Sequence, residues 1–109
     1  MIDWGRVAAL REEVGREAFE EVVLMFLEET DETIRRLSAA PVAPLEEMLH
    51  FLKGSALNLG FRSVSRLCQE GEKLAACGRG AEVELGVLVT SYRLARMEFL
   101  KGLERMEAG

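Results

Sequence analysis

The chain has one histidine, His50, and the residues that could do chemistry with it lie in the stretch His50-Phe51-Leu52-Lys53-Gly54-Ser55-Ala56. An imidazole in water titrates near 6.5, so much of it is neutral at pH 7. A neutral ring nitrogen is a usable nucleophile toward a phosphoryl group. Moving such a group takes in-line positioning and charge neutralisation more than covalent machinery. Lys53, one helical turn on, supplies a positive charge that favours an anion held on His50. Gly54, a further residue on, costs a helix about 1 kcal/mol relative to alanine and so calls for a reason. A missing side chain one turn from an exposed imidazole lets another protein come close.

Other chemistries fit less well. The chain has no Gly-x-x-x-x-Gly-Lys-Ser/Thr run and no kinase-like loop, so no ATP site is expected. No carboxylate cluster looks able to hold Mg²⁺, and one histidine with Cys68 and Cys77 is a poor zinc set. The two cysteines are too few and too close for a disulfide framework. Cys68 reads as a small buried hydrophobe and Cys77 as a loop-edge thiol.

The elements that must position His50 are helical. The 109 residues are one domain's worth, 49% hydrophobic and 30% charged, with only two prolines. A net charge of −5 argues against binding nucleic acid through phosphates. No apolar run approaches the roughly 20 residues of a membrane span. Met1-Ile2-Asp3-Trp4 shows no basic region followed by an apolar run, so no signal peptide is expected. These features predict a cytoplasmic protein.

A short helix is expected from Asp3, its cap, to about Glu13, with a break at Gly15. Apolar residues at spacings of three and four predict four longer helices, over about 16–39, 44–59, 63–76 and 81–107. Pro41-Val42-Ala43-Pro44 reads as the one clear linker. No strand pattern competes. The expected fold is all-α, an antiparallel four-helix bundle with an additional short N-terminal helix.

Helical geometry also aims the histidine. The apolar stripe of the 44–59 helix centres near Leu45, Leu49, Leu52 and Ala56. At about 100° per residue, His50 falls about 150° from that centre. Gly54 lies on nearly the same outward line, Lys53 on the flank, and Leu57 outward beside His50. Leu24 and Met25 lie off the apolar stripe of the 16–39 helix and read as exposed.

The stretch His50-Phe51-Leu52-Lys53-Gly54-Ser55-Ala56-Leu57-Asn58-Leu59-Gly60 closely resembles the signature of histidine phosphotransfer (HPt) domains, and Leu67-Cys68-x-x-x-Glu72 resembles the family's following helix. The resemblance is strong over about residues 45–76 and elsewhere rests on helix count and length. It implies a single HPt domain over 1–109 that acts as a phosphorelay carrier. His50 would accept a phosphoryl group from a receiver-domain aspartate and pass it to another. The implied partners are response regulator receivers and a hybrid histidine kinase. The chain would have no kinase site and no cofactor of its own, Mg²⁺ being supplied by the receiver. Lys53 would help hold the phosphoryl oxygens, Gly54 would leave room for the receiver, Glu72 would support the site from the neighbouring helix, and Ser55 would support it by hydrogen-bonding locally and helping to pack the two helices. Leu57, Phe61, Leu24 and Met25, with apolar residues of the first helix, would form the docking patch. The compact bundle is expected to be a monomer. Gly71 departs from the family pattern, which often has an apolar residue there; it would either loosen that turn or allow closer helix contact. Two other readings are a phosphoacceptor domain of a chemotaxis-type kinase and a helical adaptor in which His50 is never phosphorylated. The His-Lys-Gly set argues against the adaptor.

Overall fold

The computed structural model describes residues 2–39 and 44–108. Five α-helices form in order: α1 (Trp4–Val14), α2 (Arg16–Ala39), α3 (Leu45–Leu59), α4 (Arg62–Ala76) and α5 (Leu85–Ala108). Helices α2 to α5 make an antiparallel four-helix bundle and α1 is the additional short helix, as the apolar periodicity predicts. Of the expected linker, 41–43 lie outside the described residues; Pro44 stands at the N-cap of α3.

The starts and stops have local causes. Asp3 caps α1, its Oδ1 accepting from the Arg6 amide at 3.1 Å. Gly15, at φ 85°, separates α1 from α2. Gly60 ends α3 in the left-handed conformation, φ 77° and ψ 20°. A side chain there would also strike the Asp3 carbonyl oxygen at 2.6 Å. That close approach is used, because the Asp3 amide donates to the Gly60 carbonyl at 2.7 Å and ties the start of α1 to the α3–α4 turn. The last helix begins at Leu85 rather than near Ala81. A 3₁₀ turn occupies Gly80–Glu82 and Val83 is extended, so the chain crosses the bundle end before α5 starts.

Helix α3 packs between α2 and α4, and α5 packs between α4 and α2, leaving α3 and α5 diagonal. The shared core includes Leu37, Leu49, Leu52, Leu59, Val64, Leu88 and Phe99, all fully buried. Burial of a Leu, Val or Phe side chain is worth roughly 1.5–3 kcal/mol, so this interior dominates the stability. One polar clamp joins α2 to α5. The Tyr92 hydroxyl donates to Asp31 Oδ1 at 2.6 Å and lies 2.7 Å from Thr30 Oγ1, while Arg96 donates two hydrogen bonds to the Asp31 carboxylate.

The loop residue Phe61 departs from expectation. It is 1% exposed, with its ring edge-on to Phe99 at 5.3 Å and tilted against Tyr92 at 6.0 Å. The left-handed turn at Gly60 swings Phe61 into the bundle, so its side chain belongs to the core and not to the docking surface expected from sequence.

Candidate functional site

The site is built on the α3–α4 pair, the most intimate contact in the bundle. Gly71 makes that contact close. It is buried in α4, and a Cβ added there would lie 3.0 Å from Leu49 Cδ1 and 3.1 Å from Val83 Cγ1. Of the two expectations for Gly71, the structure shows the closer helix contact. The next residue, Glu72, is thereby held beside the outward flank of α3.

There Glu72 meets both candidate side chains of α3. Its Oε2 lies 2.8 Å from His50 Nδ1, and its Oε1 lies 2.9 Å from Lys53 Nζ. A carboxylate only accepts, so Nδ1 is the protonated nitrogen in this hydrogen bond. The other ring nitrogen, Nε2, is then the one with a lone pair. It has no hydrogen-bond partner among the described residues, and the His50 side chain is 68% exposed. The imidazole is held by one edge and presents the other to water.

The charges agree with this arrangement. The Lys53 ammonium, ahead of the His50 hydrogen bond, holds the Glu72 carboxyl below the usual carboxylate range; partial desolvation opposes it. Glu72 is therefore an anion at neutral pH, the form that pairs with the Lys53 ammonium and accepts from His50. Beneath it, burial and the Glu72 charge push the Cys68 thiol up to about 12. Cys68 is a neutral packing group there.

The remaining expected residues divide. Gly54 faces open space, with nothing within 4 Å of where a Cβ would stand. Leu57 is 55% exposed and lies on the same side of α3 as His50. Ser55 is not gathered with them. It is buried, and at 100° per residue it falls about 140° around α3 from His50, on the flank away from Glu72. Its burial agrees with the packing part of its expected role, on the flank away from Glu72.

Leu24 and Met25 are both 52% exposed but on opposite flanks of α2. Leu24 lines a groove between α2 and α5 with Leu100 and Leu103, away from α3. Met25 is on the other flank, the one that carries Glu29 and Thr33 and faces Phe51 of α3. Phe51 itself, 42% exposed, was not foreseen as a surface residue. Its phase, about 120° from the centre of the α3 stripe, was the available signal. The exposed apolar groups of α3 beside Gly54 are thus Leu57 and Phe51, with Met25 exposed on the α2 flank that Phe51 faces.

No set of three or more His, Cys, Asp or Glu side chains among the described residues is arranged to hold a metal ion. Among those residues no helix is long and apolar enough to cross a membrane. No curated protein and no solved structure matches the chain. The Hpt domain family matches it over residues 21–109, which takes in α3, α4 and every residue of the imidazole site. With an exposed, edge-held imidazole on a four-helix bundle and a family match across most of its length, the chain belongs to the Hpt domain family, whose members carry phosphoryl groups on histidine in phosphorelays.

Proposed function

We propose that this chain is a phosphorelay carrier in which His50 is the residue that takes up and gives away the phosphoryl group. The observation that carries the reading is the hydrogen bond from His50 Nδ1 to Glu72, which leaves the Nε2 lone pair directed to solvent. The Nε2 lone pair attacks phosphorus in the aspartyl phosphate of a receiver domain. The N–P bond forms as the P–O bond to the aspartate breaks, and the aspartate leaves as a carboxylate. The Nδ1 proton stays in its hydrogen bond to Glu72, and the negative Glu72 carboxylate offsets the positive charge growing on the ring. In the second step the aspartate of another receiver attacks phosphorus, and the N–P electron pair returns to Nε2.

Lys53 starts this cycle paired with Glu72 and is close enough to share itself with an arriving phosphoryl oxygen. Gly54 gives the receiver clearance, and Leu57, Phe51 and Met25 form the apolar ground it covers. The partners are receiver domains fed by a hybrid histidine kinase. The receiver brings Mg²⁺ and most of the catalysis; the chain supplies no kinase site, and the reading places it in the cytoplasm.

The test is direct. The protein is mixed with a phosphorylated receiver and Mg²⁺, and acid-labile, base-stable label is sought on the chain. Label on the wild type and none on His50→Gln is expected. Unlabelled wild type against several receivers would overturn the carrier reading, and label surviving in His50→Gln would overturn the site. Label from ATP alone would refute the absence of a kinase site.

A further inference from the structure

The side of the bundle diagonal to His50 carries a second exposed apolar surface that phosphotransfer leaves unused. On α5, Leu94 is 63% exposed, and Met97 and Leu100 are exposed with it. Across a groove of about 710 Å³ stands Leu24 of α2. Contiguous exposed apolar side chains of this kind mark interaction surfaces.

The charges around this surface say what covers it. Viewed down α5 at 100° per residue, Arg93, Met97, Leu100 and Glu104 fall within about 60° of one another on the flank facing the groove. Along the axis the order is basic, apolar, apolar, acidic. The midpoint of Arg93 and Glu104 is also the midpoint of Met97 and Leu100. A pattern that reads plus to minus about a central apolar pair is self-complementary under a two-fold axis through that midpoint. Arg93 and Glu104 are both exposed and make no ion pair or hydrogen bond with the described residues of their own chain. Glu20 joins Glu104 at the acidic end of the groove.

Against the monomer expected from the compact bundle, we propose that this surface pairs two copies of the chain, with α5 packed antiparallel on α5 of the second copy. Met97 of each copy packs on Leu100 of the other at the axis. Arg93 of each copy enters the acidic end of the other's groove, against Glu104 and Glu20. The two α3 helices then face away from the axis, and both His50 side chains stay open to receivers.

Analytical ultracentrifugation of the full chain, up to about 1 mM, reads this out. Concentration-dependent dimerisation of the wild type is expected. Leu100→Glu should abolish it with unchanged helical circular dichroism. Arg93→Glu and Glu104→Arg should each weaken association about tenfold, since each sets like charges opposite one another. The double variant R93E/E104R should restore it, because the swapped pair is again complementary. A wild type that stays monomeric throughout the range would overturn the proposal. So would a double variant as weak as the single ones, which would deny this register. Label uptake on His50 by Leu100→Glu is expected to match the wild type, so the pairing stands or falls separately from the carrier reading.

Discussion

Glu72 Oε2 stands 2.8 Å from His50 Nδ1, and this one contact decides which ring nitrogen is left open to solvent. Removing the acceptor leaves the imidazole free to rotate and to exchange its tautomer. Glu72→Ala is therefore expected to slow phosphoryl uptake by about tenfold, the equivalent of roughly 1.4 kcal/mol, a typical size for a hydrogen bond to a charged group. Glu72→Gln keeps an oxygen that can accept from Nδ1 and should retain more of the rate. Time courses of label uptake from a phosphorylated receiver compare the two. Equal rates for wild type and Glu72→Ala would remove Glu72 from the site.

Lys53 holds the other oxygen of that carboxylate and is the main reason that Glu72 titrates low. A folded-state value below the unfolded one stabilises the protein above the unfolded pKa, and that stabilisation fades as pH falls through the folded value. Lys53→Met should remove this acid-side loss, so that stability falls less steeply with acidification than in the wild type. The same change should shorten the lifetime of the phosphorylated protein, since the phosphoryl group loses its nearby cation. Thermal melts across the acid range read the first effect and decay of label the second.

The helices and the outward aim of His50 were legible in the sequence because both follow from a fixed 100° advance per residue. Lys53, Gly54 and Leu57 fall where that advance puts them. Ser55 is buried, as a packing residue must be, and its phase separates it from His50. Phe61 could not be read this way. It lies in a turn where no helical phase applies, and the left-handed Gly60 decides its direction. Leu24 and Met25 were both legible as exposed, but which neighbour each faces depends on the order of helices around the bundle. The role of Gly71 was hidden for a like reason, since the side chains that fill its place, Leu49 and Val83, come from distant parts of the chain.

That filled space gives Gly71 a measurable signature. A bulky replacement must displace Leu49, which is fully buried, and push α4 from α3. Gly71→Leu is expected to destabilise the fold by about 1–3 kcal/mol, as overpacking of a dense core does. A chain of this size should then melt roughly 4–8 °C lower for each kcal/mol. Because Glu72 moves with α4, the variant should also take up label more slowly than its residual stability explains. A melting point equal to that of the wild type would mean that the close contact at Gly71 is not a constraint.

The short helix α1 buries Val7 and Leu10 and adds the Trp4 ring as a further anchor, and that anchor depends on a glycine. The Trp4 ring stacks on Phe99 with centroids 6.0 Å apart and an interplanar angle of 11°. It also fills the space where a Gly102 side chain would be, two of its ring carbons overlapping the position of a Cβ. No rotation of a methyl group relieves an overlap of that size, so Gly102→Ala must drive the indole off Phe99. The helix itself should gain about 1 kcal/mol from the exchange of glycine for alanine. Lost packing of an aromatic ring against the core outweighs that gain, by analogy with core aromatic truncations of about 3–5 kcal/mol. The chain has one tryptophan, so its fluorescence reports the anchor without interference. Gly102→Ala should red-shift the emission and lower the melting point. An unshifted spectrum would mean that Trp4 keeps its place and that its stack on Phe99 tolerates a side chain at position 102.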